Sequence, residues 1–288
     1  MPTDRSPRPD PAWLDAQYNN RARVANFATH LRRWAEDSEE ALRTQPRVVD
    51  VRYGGGPNEH LDIFTTTEPK APVLVFIHGG YWRSLDKRDH AFVAPAFTSE
   101  GACVVIPNYA LAPAVTIPQI AMQMVAALAW TWRHIAKHGG DPDRITLVGH
   151  SAGGHLASLL LACVWPAFHK DLPADLVKGA LAISPLHDLE PIMHTPFLKD
   201  SLRLTPQQVA QASPAYLPAP GQGLLYSTAG GDESEEFQRQ NQLIQQAWGT
   251  QRVPVCEALP GLDHFSILQA LVQPGHRLNN LALELLRR

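Results

Sequence analysis

Cysteine is scarce in this chain, with Cys103, Cys163 and Cys256 the only three in 288 residues. Far apart and odd in number, they make neither a disulfide framework nor a C-x-x-C metal or redox motif, so free thiols in a reducing compartment are expected. Long apolar runs are missing as well. No stretch approaches the about 20 uninterrupted apolar residues of a membrane span. The opening MPTDRSPRPDPAW is polar and proline-rich, without the apolar region of a secretory signal. A soluble, cytoplasmic protein is expected on those grounds. Positive charge is not in surplus either: the formal net charge is -3, and lysines and arginines are scattered without a basic stripe. Nucleic acid and anionic membranes are therefore poor candidate partners. A zinc motif is also wanting. His134 and His138 stand four apart, but Ile135 occupies the place of the glutamate in H-E-x-x-H. No metal and no cofactor are expected.

What the chain does have is 44% hydrophobic residues, enough for a sizeable core. From about residue 47 onward, short β-branched runs alternate with longer helical patterns, the signature of a mostly parallel sheet covered on both faces. Eight strands are expected, at Arg47–Tyr53, Leu61–Thr65, Val73–Ile77, Cys103–Pro107, Ile145–Val148, Gly179–Ile183, Leu224–Thr228 and Val253–Ala258. The first two are separated only by GGGPNEH, too short for a crossover helix, and should pair antiparallel at the sheet edge. Ile120, Met124, Leu128, Trp132 and Ile135 fall on one helical stripe that Gly139-Gly140 ends. Two segments stand apart from this alternation. Residues 1–46 carry helical patterning, with Leu31, Trp34, Ala35 and Leu42 spaced for one face, and should pack onto the α/β domain of residues 47–288. Within them, Tyr18-Asn19-Asn20-Arg21 has no evident core role and is a candidate lid. Residues 185–220, proline-rich and without a clean period, read as a cap excursion above the sheet.

Chemistry enters at Gly149-His150-Ser151-Ala152-Gly153-Gly154, which follows the strand Ile145–Val148 and precedes a helix-compatible run. That is G-x-S-x-G in its strand–turn–helix setting, where small residues flank a turn too tight for Cβ atoms and the serine hydroxyl projects at the sheet edge. Ser151 is the candidate nucleophile. A serine hydroxyl needs a base, and the base needs a third group to hold its tautomer. On such an elbow the acid and then the histidine follow later in the chain. His264, in the turn Pro260–Ser266 after the last strand, is the natural base. Past the strand Leu224–Thr228, Asp232 and Glu233 both qualify as the acid, while Glu235 and Glu236 suit the first turn of the next helix.

The segment His78-Gly79-Gly80-Tyr81-Trp82 leaves the third strand through two glycines, which free the backbone for a sharp turn and leave N–H groups uncovered. Acyl transfer builds negative charge on a carbonyl oxygen, and N–H groups from this loop and from the residue after the nucleophile are placed to meet it. Gly80, Tyr81 and Ala152 are the candidate oxyanion hole. His78 should brace the loop. Trp82, His150 and Tyr18 are assigned to the substrate pocket, with plain core packing as the alternative for Trp82.

With those residues in place, the chain resembles an α/β-hydrolase, similar to the hormone-sensitive-lipase-like esterases and most of all to the kynurenine formamidase (arylformamidase) group. HGGYW resembles the formamidase-type H-G-G-x-W where the lipase relatives carry H-G-G-G. Asn108-Tyr109-Ala110-Leu111-Ala112-Pro113 resembles their Y-R-L-A-P segment, and both groups share GHSAGG. Glu233-Ser234-Glu235-Glu236-Phe237 lines up with the formamidase D-S-x-E-F-like segment, which implies Glu233 rather than Asp232 as the acid, a glutamate where aspartate is usual. Tyr18-Asn19-Asn20-Arg21 is similar to the start of bacterial members. The resemblance implies a serine hydrolase acting on small-acyl amides or esters of the N-formylkynurenine type, with a general short-chain carboxylesterase or a thioesterase as alternatives. A non-catalytic ligand-binding homologue is the rival from another class, and such homologues lack the histidine that this chain has at 264. A homodimer is compatible with the sequence, which does not display oligomeric state.

Overall fold

The computed structural model describes residues 10–288; residues 1–9, which include most of the proline-rich opening and the start of the expected N-terminal segment, lie outside them. Eight strands form one sheet: β1 (Arg47–Arg52), β2 (His60–Phe64), β3 (Ala71–Ile77), β4 (Cys103–Pro107), β5 (Gly140–His150), β6 (Val177–Ile183), β7 (Leu224–Gly230) and β8 (Val255–Leu259). Their order is β1-β2-β4-β3-β5-β6-β7-β8. The β1–β2 and β2–β4 pairs are antiparallel and all later pairs are parallel, so the antiparallel edge expected from the short GGGPNEH connection is present. Tyr53 leaves the expected first strand, and its hydroxyl donates to the Asn108 carbonyl at 2.5 Å.

Alternation along β3 explains the two layers. Val73, Val75 and Ile77 pack into one apolar core with Met124, Leu128, Leu156 and Ile244, while Leu74 and Phe76 pack into the other with Trp34, Phe97 and Leu281. Every one of these side chains is at most 1% exposed. The stripe expected near Ile120 belongs to the helix Ile117–His134, whose first turn is closed by a Thr116–Gln119 capping box. Among the described residues no helix is long and apolar enough to cross a membrane.

Residues 11–44 hold the helices Pro11–Tyr18, Asn20–Arg23 and Phe27–Thr44. On the last of these Trp34, Ser38 and Ala41 are the buried positions, with Leu31 and Leu42 at the margin of the core. Residues 185–220 form three short helices, Glu190–His194, Pro196–Leu202 and Pro206–Ala212. The two segments meet where the Asp15 carboxylate accepts from the Phe197 N–H at 3.1 Å.

The loop after β3 is tied to the antiparallel edge by a buried cation. A bulge in β1 puts Asp50 at φ 54, so that its N–H donates to Asp62 Oδ1 at 2.8 Å. The fully buried Lys87 Nζ lies 2.6 Å from Asp62 and 2.9 Å from Asp50, whose carboxyl it holds below the usual range. Lys87→Ala would leave the buried Asp62 carboxylate without its cation, so a stability loss of about 3–5 kcal/mol is expected in urea denaturation. A loss below about 1 kcal/mol would show that this ion pair does not anchor the edge.

Candidate active site

Ser151 stands at the turn between β5 and the helix Ala152–Leu161, with φ 57 and ψ −118. Few residues other than glycine hold this backbone, and the neighbours enforce it. The Ser151 N–H donates to the Ile183 carbonyl at 2.8 Å, and the His155 N–H donates to the Ser151 carbonyl at 3.1 Å. A Cβ on Gly149 would lie 2.1 Å from the Gly153 carbonyl oxygen, and one on Gly153 would lie 1.9 Å from that of Ile77. The two glycines of G-x-S-x-G are thus needed for close approach of strand and helix.

His264 comes from the turn after β8, and its Nδ1–H donates to Glu233 Oε2 at 2.7 Å. Glu233 follows β7, and its other oxygen accepts from Ser184 Oγ at 2.5 Å and from the Gly230 N–H at 2.7 Å. Asp232 is exposed and makes no side-chain bond to His264 among the described residues, so of the two carboxylates open to sequence reasoning, Glu233 is the one in contact. His150 sits behind the pair: its Nε2–H donates to the His264 carbonyl at 2.9 Å, and burial pushes its imidazole well below the usual range, so the ring is neutral at neutral pH. Ser151, His264 and His150 line one cavity of about 530 Å³, although Ser151 Oγ makes no hydrogen bond to a described residue.

The HGGYW loop turns through three consecutive left-handed residues, Gly80 (φ 102), Tyr81 (φ 50) and Trp82 (φ 55). Two of them carry bulky side chains, so this is stored strain, held by the Arg83 and Ser84 N–H groups, which both donate to the Gly80 carbonyl at 3.1 Å. The N–H groups of Gly80, Tyr81 and Ala152 bond to no described residue; that of Ala152 heads a helix, where no intrahelical acceptor exists. His78 braces the loop, with Nδ1–H donating to the Gly79 carbonyl at 2.9 Å and its ring stacked 4.3 Å from Tyr109.

Two pocket assignments are corrected. Trp82 is fully buried and does not line the cavity: the left-handed turn sends Tyr81 toward the cavity and Trp82 into the core, edge-on to His155 at 4.9 Å. Tyr18 is also fully buried outside the cavity wall. Its hydroxyl donates to the Glu236 carboxylate and its carbonyl accepts from Tyr81 Oη at 2.6 Å, so it supports the wall that Asn19, Asn20 and Arg21 form. Sequence reasoning missed Trp34, Arg83, Phe197 and Phe265 as lining residues. Trp34 was placed by its helical spacing, which marks burial but not the cavity that its ring also borders.

Comparison with known proteins adds the following. A family model for the alpha/beta hydrolase fold matches residues 74–238. Kynurenine formamidase of Salmo salar is 30% identical over 272 residues, covering 90% of this chain and 88% of that protein. Esterase LipQ of Mycobacterium tuberculosis is 40% identical over 123 residues, which cover 41% of this chain and 29% of that one. Among solved structures, a candidate thioesterase from Silicibacter sp. TM1040 superposes with a TM-score of 0.82 at 28% identity, covering 94% of this chain and 98% of that chain.

The serine turn lies inside the matched span, and its crowding is testable by one methyl group. Gly153→Ala would force the helix away from the end of β3, and such overpacking costs about 1–3 kcal/mol or more. Thermal unfolding should register the loss. A variant as stable as the parent would show that the turn is not as tight as described.

Proposed function

The chain belongs to the α/β-hydrolase fold family, and from that premise we propose that it is a serine hydrolase of the arylformamidase type, cleaving small-acyl amides or esters of N-formylkynurenine-like substrates. The observation that carries this reading is a single constellation. Ser151 and His264 share one cavity, Glu233 holds His264 at Nδ1, and the N–H groups of Gly80, Tyr81 and Ala152 bond to no described residue. Kynurenine formamidase relatives spanning most of the chain support the formamide side of it.

In this mechanism Ser151 Oγ attacks the substrate carbonyl carbon while His264 Nε2 takes its proton. The Ser151–His264 hydrogen bond forms as substrate binds, since such contacts are commonly loose beforehand. Glu233 keeps the Nδ1–H tautomer and stabilises the imidazolium that forms. The oxyanion receives the N–H groups of Gly80, Tyr81 and Ala152. His264 then protonates the leaving amine or alcohol, and a water activated by the same imidazole frees the acyl group and restores Ser151. Residues 11–46 and 185–220 act together as the cover of this site, joined through Asp15 and Phe197.

A fluorophosphonate should modify the protein once, at Ser151, and His264→Ala should remove several orders of magnitude of turnover. Glu233→Gln deletes the charge beside His264 and should lower turnover far more than Asp232→Asn, whose exposed carboxylate contributes about 1–2 kcal/mol at most to stability as a helix-proximal group. An adduct on another residue, or a larger loss in Asp232→Asn, overturns the assignment.

A second reading, a short-chain carboxylesterase, is favoured by the 40% identity to esterase LipQ over part of the chain. One panel separates the two. N-formyl arylamides and short p-nitrophenyl esters should both be cleaved, with kcat/KM falling as the acyl chain lengthens, because each added methylene must find space in a rigid site at about 1–3 kcal/mol. Cleavage of the esters with N-formylkynurenine untouched selects the carboxylesterase, and a preference for octanoyl over acetyl esters removes the small-acyl reading altogether.

A further inference from the structure

Beside His264 lies a second cavity, of about 260 Å³, with the exposed Arg23, Asn26 and Asp232 at its outer end and the buried Asn20, Glu233 and His264 at its inner end. Asn20 and His264 are the residues that line both this cavity and the one holding Ser151, so the two spaces adjoin at an amide and an imidazole. Asn20 is 5% exposed, and its Nδ2 is buried without a hydrogen bond to a described residue. Few buried amide groups in folded proteins are left so, because the desolvated donor then has no acceptor in return. The position of Asn20 is fixed on both sides. Asn19 Oδ1 accepts from the Ala22 N–H at 3.2 Å, the Asn20 carbonyl accepts from the Val24 N–H at 3.0 Å, and the Tyr18 carbonyl accepts from Tyr81 Oη at 2.6 Å.

Size and lining both suit this second space to water. At about 260 Å³ it falls below the about 300–1,000 Å³ of small-molecule sites, yet it has room for several waters of about 30 Å³ each. Its wall is polar or charged apart from Val24 and Ala25. The Ser151 cavity differs, with Leu31, Trp34, Phe197 and Phe265 laying apolar surface along the space that a leaving amine or alcohol would occupy. Freeing the acyl group needs a water at His264 Nε2, because Nδ1 is committed to Glu233. While the leaving group still fills the first cavity, the second is the open path to that nitrogen.

We propose that the second cavity admits the hydrolytic water and that Asn20 holds this water beside His264. This rests on the hydrolase reading above and deepens it, since it gives the second half of the reaction its own residue and its own entrance. In the acyl-enzyme, Asn20 Nδ2–H donates to one lone pair of the water, one water hydrogen is given to His264 Nε2, and the other lone pair is left for the acyl carbon. The bond from water oxygen to that carbon forms as the proton passes to His264. The bond from the carbon to Ser151 Oγ then breaks, His264 returns the proton to Oγ, and the free acid leaves. Asn20 touches only the water, so acylation of Ser151 does not depend on it.

The test separates the two halves of the reaction with p-nitrophenyl acetate. Clearance of acetyl-Ser151, followed by intact mass spectrometry after a brief exposure to the ester, reads deacylation directly, and kcat/KM reads acylation. Asn20→Leu, close in size but without the amide, should slow clearance by about tenfold or more, the size of one well-placed hydrogen bond. Its kcat/KM should fall far less, so that kcat and KM drop together, a split that general damage to the site would not produce. Asn20→Ser, which keeps a small donor, should recover part of the clearance rate. Ala25→Trp, which fills the second cavity and leaves Asn20 in place, should slow clearance in the same way. If Asn20→Leu unfolds, Asn20→Ala carries the decision, with labelling of Ser151 by a fluorophosphonate at the parent's rate as the sign of an intact site. Acetyl-enzyme that clears at the parent's rate in the Asn20 variant or in Ala25→Trp, or equal losses in clearance and kcat/KM, overturns the inference and leaves the hydrolase standing. A parent protein that forms no acetyl-enzyme and turns over no ester rejects the hydrolase reading, and this inference with it.

Discussion

Where β5 ends, Gly149 lies so near the Gly153 carbonyl, and Gly153 so near the Ile77 carbonyl, that a methyl group on either glycine would overlap backbone. This crowding joins three elements, the end of β3, the end of β5 and the helix behind them, into a unit that cannot shift in part. Ser151 is carried on it in a left-handed backbone conformation, and such strain, about 1–3 kcal/mol, persists only where surrounding bonds over-determine it. Those bonds come from β6 through Ile183 and from the helix through His155. The next loop outward, Gly80 to Trp82, is strained in the same sense, and it starts from the same Ile77 that the turn crowds. Backbone geometry at the sheet edge is what places Ser151 beside the Gly79–Gly80 turn.

The proposed mechanism also requires that one histidine among 13 act as the base. Burial removes five of the other twelve from that role. It drives His90 and His187 down to about 3 and His155 to about 4, and lowers His78 and His150 as well, so these rings stay neutral and serve as donors or packing surfaces. His264 differs in having a carboxylate at Nδ1, and that carboxylate is itself fixed by Ser184 and Gly230 from the ends of β6 and β7. His150 then fastens the His264 carbonyl. His264 is thus held from two sides, by Glu233 and by His150.

This division between backbone and side chain also explains what could be read from the sequence. The strands from β3 onward were legible because parallel strands leave apolar runs and their connections leave helical stripes, and the antiparallel edge pair β1–β2 was legible from its short connection. Ser151 was legible as a candidate from glycines at set spacings and His264 from chain order, but these left Asp232 and Glu233 both open; only the resemblance pointed to Glu233, the carboxylate that contacts His264. Trp82 and Tyr18 misled because an aromatic beside a motif carries no sign of which way it points; the handedness of Tyr81 and Trp82 decides that, and a single sequence does not encode it visibly. Trp34, Arg83 and Phe197 were invisible for a related reason. They reach the cavity from a helix face, a loop and the cap, three segments with no common period.

It follows that the reacting centre and the cavity around it are specified by different parts of the chain. The centre depends on glycine positions and strand ends, which tolerate little change without loss of fold. Much of the cavity wall comes from residues 19–21, 31, 34, 83–85 and 197, most of them in covering segments whose side chains can be exchanged without disturbing the sheet. A fold built this way keeps one acyl-transfer mechanism while its substrates change, consistent with relatives named for formamides, esters and thioesters. Substrate identity in this chain therefore has to be sought in the side chains that the cover brings to the wall. There the lining is mixed, with Asn19, Asn20, Arg21, Arg83 and Ser84 beside Leu31, Trp34, Phe197 and Phe265.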